Sequence, residues 1–203
     1  MENKTSDYYT RYLERVNFYK SFGYDIEKER KFILEKSCPF DGDILEVGTG
    51  KGYFTVELAK AGYNFTSVDV SYQEQDYARR NIKYFGFAKL VNFQIENAEQ
   101  FSFKDASFDT VFVINAIHHF ENPYKVMDEL IRVTSFEGKF ILSDFNEEGL
   151  KLIGKIHESE GRTHKAGSVN LNDIGKYLQR KDFSIETYSS KFQEIVTACH
   201  SLM

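Results

Sequence analysis

Apolar and polar residues alternate along this chain in two distinct rhythms. Tyr9, Tyr12, Leu13 and Val16 stand at i, i+3, i+4 and i+7, and Ile26, Phe32 and Ile33 recur among charges, so the spacing predicts two helices before residue 40. Cys38-Pro39 ends them. Asp43 to Gly48 is then a short apolar run stopped by glycines, and Phe54, Leu58 and Ala59 continue at helical spacing, which reads as strand, Gly-rich turn, helix. The same unit repeats. Residues 65–70 form a second strand, and Ser71-Tyr72-Gln73-Glu74 has the capping-box form before a helix with Ala78, Ile82 and Phe85 on one face, closed by Gly86. Val91–Ile95 alternates as a third strand, and Thr110–Ile114 is a continuous β-branched and aromatic run suited to a central parallel strand buried on both faces. Asn122-Pro123 predicts an N-cap and first turn for a helix with Met127, Leu130, Ile131 and Thr134 aligned, and Lys139–Asp144 is a fifth strand.

After residue 144 the rhythm changes. Two short helical patterns, Leu150/Ile153/Ile156 and Leu171/Ile174/Leu178, flank the polar stretch from Glu160 to Gly167. Phe183–Tyr188 and Phe192–Ala198 alternate as strands joined by the short link Ser189-Ser190-Lys191, a terminal hairpin. Five strands with intervening helices, then a hairpin, predict a doubly wound α/β sheet in one domain over residues 1–203. Such sheets bind ligands beyond the carboxyl ends of their strands.

Composition narrows the partners. With 26 Lys+Arg against 31 Asp+Glu the net charge is −5, which argues against a phosphate backbone as the main partner, and no nucleic acid is expected. The two cysteines, Cys38 and Cys199, form no CxxC pair, the first residues lack the apolar stretch of a signal peptide, and no run approaches a spanning helix. A soluble, cytoplasmic protein with reduced thiols and no membrane partner is the expectation; composition leaves the oligomeric state open.

The chemistry concentrates in the turn after the first strand. Gly48, Gly50 and Gly52 let the backbone turn tightly and let a ligand lie against a helix N-terminus. The dinucleotide fingerprint would need glycine at 53, where tyrosine stands, and no Gly-Lys-Ser/Thr completes a P-loop. Glu46 precedes the first glycine and Asp69 ends the next strand. An acid at the second strand's end accepts bonds from ribose hydroxyls, and the first can meet an ammonium group directly or through water. The two together suit a cationic nucleoside better than a pyrophosphate. The plainer readings are glycines that merely tighten a turn, and Asp69 as an acid at a helix start.

From about residue 43 to 144, and more weakly to the end, the sequence resembles the class I S-adenosylmethionine-dependent methyltransferases, in particular the small-molecule branch. Ile44–Gly52 is similar to the family's E/D-x-G-x-G-x-G motif, Val68-Asp69-Val70-Ser71 to its ribose-binding motif, Glu96-Asn97-Ala98-Glu99 to its adenine-side segment, and Ser107–Phe120 to its fourth-strand motif. The resemblance implies a Rossmann-like seven-stranded sheet of order 3-2-1-4-5-7-6 with strand seven antiparallel and helices on both faces. It implies S-adenosyl-L-methionine as cofactor, S-adenosyl-L-homocysteine as product, and cofactor contacts from Glu46, Gly48, Thr49, Gly50, Gly52, Asp69, Val70, Asn97, Ala98 and Asn115. Asn97 departs from the family's commoner Asp, though an amide oxygen still accepts from an adenine amino group. The organisation it implies is a helical lid over 1–42, a cofactor-binding core over 43–144, a substrate-side insertion over 145–180 and the hairpin over 181–203.

The implied activity is methyl transfer to a small-molecule acceptor by in-line displacement. His118 and His119 follow the fourth strand, where loops of this fold face the ligand, and are the candidate general bases; packing at the strand end is the equal alternative. His157 to His164 holds two histidines and two glutamates, but the spacing is not HExxH and Gly161 interrupts the helical face, so no metal site is expected; a substrate-covering loop, with Arg162 and Lys165 able to grip an anion, is the preferred reading. Tyr53 and Tyr72 read as packing residues. The competing functions are a catalytically silent nucleoside-binding regulatory module and, less well supported, an NAD-dependent oxidoreductase.

Overall fold

The computed structural model describes residues 2–162, 167 and 169–201. The chain runs α1 (Glu2–Ser21), α2 (Ile26–Ser37), β1 (Ile44–Val47), α3 (Tyr53–Lys60), β2 (Phe65–Asp69), α4 (Tyr72–Tyr84), β3 (Val91–Ile95), β4 (Phe108–Ile114), a short 3-10 turn at Ile117–His119, α5 (Pro123–Val133), β5 (Thr134–Phe145), α6 (Glu147–Ser159), α7 (Leu171–Gln179), β6 (Phe183–Ser189) and β7 (Gln193–His200). The strands form one seven-stranded sheet of order β3-β2-β1-β4-β5-β7-β6. β1 to β5 are parallel, while β7 runs antiparallel to both β5 and β6, the arrangement expected from sequence.

Strand parity divides the interior. Leu45 and Val47 of β1 join Val111, Val113, Phe140 and Leu142 on the face covered by α5 and α7. Ile44 joins Phe112, Ile114 and Ile141 on the opposite face, under Ile33 of α2, Val56 and Leu58 of α3 and Ile82 of α4. Because side chains alternate across a strand, Glu46 points to this second face. A third cluster, Tyr12, Val16, Tyr24, Ile26 and Phe192, seats α1 and the start of α2 against the far end of the chain.

Helix ends follow their caps, with two differences from expectation. Ser71 accepts from the Glu74 amide at 3.2 Å, which starts α4 as expected. Asn122 precedes Pro123 but makes no cap bond; its amide donates to Glu99 Oε1 at 2.9 Å, across to the loop after β3. β5 begins five residues earlier than its apolar run, and its pairing with β4 shifts register between Phe108 and Thr110. Among the described residues no helix is long and apolar enough to cross a membrane.

Candidate functional site

The turn after β1 is built by its own backbone. The amides of Gly48 and Thr49 both donate to the Val68 carbonyl, at 2.9 and 3.0 Å, and the Gly52 amide returns to Thr49 at 2.9 Å. Gly52 opens α3 at φ +84, and a Cβ there would sit 2.7 Å from Ala78 Cβ and 2.9 Å from its Cα, so only glycine brings α3 this close to α4. Gly50 is the opposite case: a Cβ there would meet nothing within 4 Å, because that face of the turn opens into a cavity.

Both predicted acids stand at this turn. Glu46 is 2% exposed, and its Oε2 accepts from Thr55 Oγ1 at 2.8 Å and Ser67 Oγ at 2.6 Å. Burial pushes its carboxyl up to about 7; the Ser67 and Thr55 hydroxyls pull it back, the Asp69 charge adds to the rise, and Arg30 lowers it. Since the unfolded carboxyl releases its proton earlier, stability contributed by this group is lost as pH rises from the ordinary carboxylate range through about 7. An ammonium bound beside Glu46 favours the carboxylate, so binding should release a proton near neutrality and weaken as pH falls below about 7. Calorimetry of S-adenosylhomocysteine binding in buffers of differing ionisation enthalpy checks this; identical enthalpies in all buffers would contradict it, and Glu46→Gln should abolish the difference. Asp69, at the end of β2, accepts from the Gly50 amide at 2.7 Å through Oδ2 and from the Ser71 amide at 2.8 Å through Oδ1, so it pins the turn and the start of α4 together.

A cavity of about 760 Å³ lies beyond the carboxyl ends of β1, β2 and β4, within the roughly 300–1,000 Å³ usual for small-molecule sites. Nine of the ten residues expected at the cofactor line it; Gly52 does not, being turned against Ala78. Thr49 lines it but its hydroxyl faces inward, 2.7 Å from Ser67 Oγ and 3.2 Å from Gln75 Nε2. Asn97 Oδ1 accepts from the Glu99 amide at 2.9 Å, which occupies one lone pair of the oxygen assigned to adenine. Asn115 sits at φ +52 with both side-chain amide atoms buried and, among the described residues, unbonded. A buried amide on a cavity wall with both polar atoms unbonded is suited to a polar ligand. Together with the open face at Gly50, it fits the nucleoside cofactor.

The two histidines separate. His119 lines the cavity, whereas His118 is buried behind it with Nδ1 at 2.7 and 2.9 Å from the carboxylate oxygens of Asp144, the residue near the end of β5. A carboxylate only accepts, which places the proton on Nδ1. The rings of His118 and His119 stand 4.0 Å apart. Asp144 was visible in sequence only as a strand terminus, the same place in the unit that Asp69 occupies. Tyr53 packs on Tyr12 at 5.3 Å and also lines the cavity. Arg15 of α1 pairs with Glu160 just past α6 and holds Tyr19 Oη at 2.9 Å. Arg162 pairs with the same carboxylate, and the Arg15 guanidinium first, with Arg162 adding to it against the effect of burial, holds that carboxyl well below the usual range, at about 2. His164 and Lys165 lie outside the described residues. Arg30, buried on the cavity wall, was not singled out by sequence.

Residues 45–142 match the methyltransferase domain family. A curated relative, the ubiquinone/menaquinone biosynthesis C-methyltransferase UbiE of Geotalea uraniireducens, is 25% identical over 145 residues, 70% of this chain; the chain spans 62% of that relative's length. Among solved structures, a SAM-dependent methyltransferase from Aquifex aeolicus superposes with a TM-score of 0.67 at 20% identity, covering 83% of this chain and 88% of its own. The (4+2)-cyclase SpnF superposes at 0.69 with 14% identity, covering 87% and 82%. At these identities the structural likenesses establish the fold.

Proposed function

We propose that this chain, whose residues 45–142 match the methyltransferase domain family and whose fold is shared with a SAM-dependent methyltransferase, is a class I S-adenosylmethionine-dependent enzyme that methylates a small-molecule acceptor. The observation that carries this reading is the cavity wall: Glu46 and Asp69 at the ends of adjacent parallel strands, with the open face of Gly50 between them and the unpaired Asn115 amide on the same wall. Glu46 would take the ammonium, Asp69 the ribose hydroxyls, and Val70, Asn97 and Ala98 the adenine. The sulfonium, when bound, supplies an electrophilic methyl group.

The chain's own residues supply position and exclusion of water, which suffice for much of the rate when the electrophile is this reactive. A base is needed only where the acceptor nucleophile carries a proton. His119 is the imidazole on the wall for that role, and His118, fixed by Asp144, is the ring that positions it. The (4+2)-cyclase among the fold neighbours is a reminder that this fold hosts other chemistry, so the reaction has to be read from the site.

Formation of S-adenosylhomocysteine from S-adenosylmethionine across a panel of small metabolites tests activity and acceptor together, with calorimetry against S-adenosylmethionine, S-adenosylhomocysteine and NAD alongside. Product formation with one acceptor class is expected. Tight sulfonium-ligand binding without turnover would favour a silent nucleoside-binding module, and tight NAD binding with no response to S-adenosylmethionine would overturn the cofactor reading itself.

A further inference from the structure

Arg30 belongs to α2, outside the segment that matches the methyltransferase family, and its position is unusual for a cation. It is 7% exposed and lines the cavity. No acid lies within ion-pair distance of it among the described residues; its recorded partner is a neutral phenol, Tyr24 Oη, at 3.4 Å. A guanidinium has five N–H donors in a planar fork that matches a carboxylate, and a buried charge is costly unless paired. The other lysine or arginine on the wall, Lys51, differs in both respects: its side chain is 42% exposed and stands 3.9 Å from Glu74.

The surroundings hold Arg30 in place without neutralising it. Tyr24 is fully buried and accepts from Gln193 Nε2 at 2.8 Å; Gln193 in turn accepts from Ser143 Oγ at 3.0 Å, so the phenol is anchored to β7 and β5. Glu29, the neighbouring acid on α2, is turned away to Ser190. Glu46 lies on the same cavity wall yet makes no ion pair with Arg30. A buried acid and a buried base that share a wall without touching are matched by a ligand carrying both charges, an amino-acid zwitterion.

We propose that Arg30 is the carboxylate receptor of this site, gripping the α-carboxylate at the amino-acid end of the cofactor while Glu46 faces its ammonium. The assignment rests on the S-adenosylmethionine reading above. It makes the helix preceding the family core a determinant of which nucleosides the cavity holds: those bearing the amino-acid tail are selected over those lacking it.

The test compares S-adenosylhomocysteine with two probes, its decarboxylated analogue and 5′-methylthioadenosine, by calorimetry on wild type, Arg30→Met and Arg30→Lys, with thermal melts of each. Wild type should prefer the acid over the decarboxylated analogue by at least about tenfold, the scale of one charge-assisted pair. Arg30→Met should erase that preference and leave 5′-methylthioadenosine affinity unchanged, and Arg30→Lys should retain part of it. Equal wild-type affinity for the acid and its decarboxylated analogue overturns the proposal and needs no variant to fold. A uniform loss for all three ligands in a folded Arg30→Met, or no loss at all, overturns it too. Failure of wild type to bind any of them would instead remove the cofactor reading on which it stands.

Discussion

Replacing Asp69 by alanine is expected to weaken S-adenosylhomocysteine binding by about ten- to a hundredfold, since a hydrogen bond to a charged group contributes roughly 1.5–3 kcal/mol. The carboxylate has two tasks. It already accepts from the amides of Gly50 and Ser71, one through each oxygen, and each oxygen keeps lone-pair capacity for a ribose hydroxyl on the cavity side. Alanine therefore removes a ligand contact and also releases the turn that shapes the cavity. Asp69→Asn retains one amide oxygen and should lose less. Calorimetry with a thermal melt of each variant separates the two tasks, and affinity unchanged in Asp69→Ala would refute the ribose assignment.

Gly52→Ala should have the largest effect on stability. The added Cβ meets Ala78 at 2.7 Å from its Cβ and 2.9 Å from its backbone Cα, at a φ of +84. The left-handed backbone costs about 1–2 kcal/mol and overpacking about 1–3 kcal/mol more. A loss of roughly 2–4 °C in Tm per kcal/mol follows for a chain of this size. Gly50→Ala is the control. It carries the backbone cost without the clash, and its methyl enters the cavity, so it should lose affinity while losing only the backbone share of the Tm, less than Gly52→Ala loses. A Gly52→Ala protein that melts like wild type would show that α3 and α4 can part freely at this turn.

The strands and helices were legible because each apolar run in the repeating unit has the period of its element. Residues 91–95 read as a strand and are one, and the stripes at 150, 153 and 156 and at 171, 174 and 178 lie on α6 and α7. The first half of β5 was not legible: Ser135, Glu137 and Gly138 give it no apolar run, and it exists through pairing that shifts register against β4. The acids at the ends of β1 and β2 were readable because strand ends are where such sheets place ligands. Gly52 is assigned to the cofactor by the motif resemblance, and its near neighbour is Ala78 of α4. Arg30 carried a signal that charge obscured. It stands at i+4 from Ile26 and three residues before Ile33, squarely on the buried stripe of α2, but it lies in a run of Glu and Lys where an apolar pattern passes over it.

The anchoring of Tyr24 to Gln193 spans 169 residues, Glu29 to Ser190 spans 161, and Arg15 to Glu160 spans 145. The helices that precede the matched core thus dock on segments made long after them. During translation the Gly-rich turn and its acids can form first, while α1 and α2 wait for β7 before their apolar faces are covered. A nascent chain stalled before β7 would carry the nucleoside-binding core without its seated arginine. Ligand affinity therefore reports on the docking of these helices: selection for the amino-acid tail should appear only once β7 has been made and α2 is seated on it.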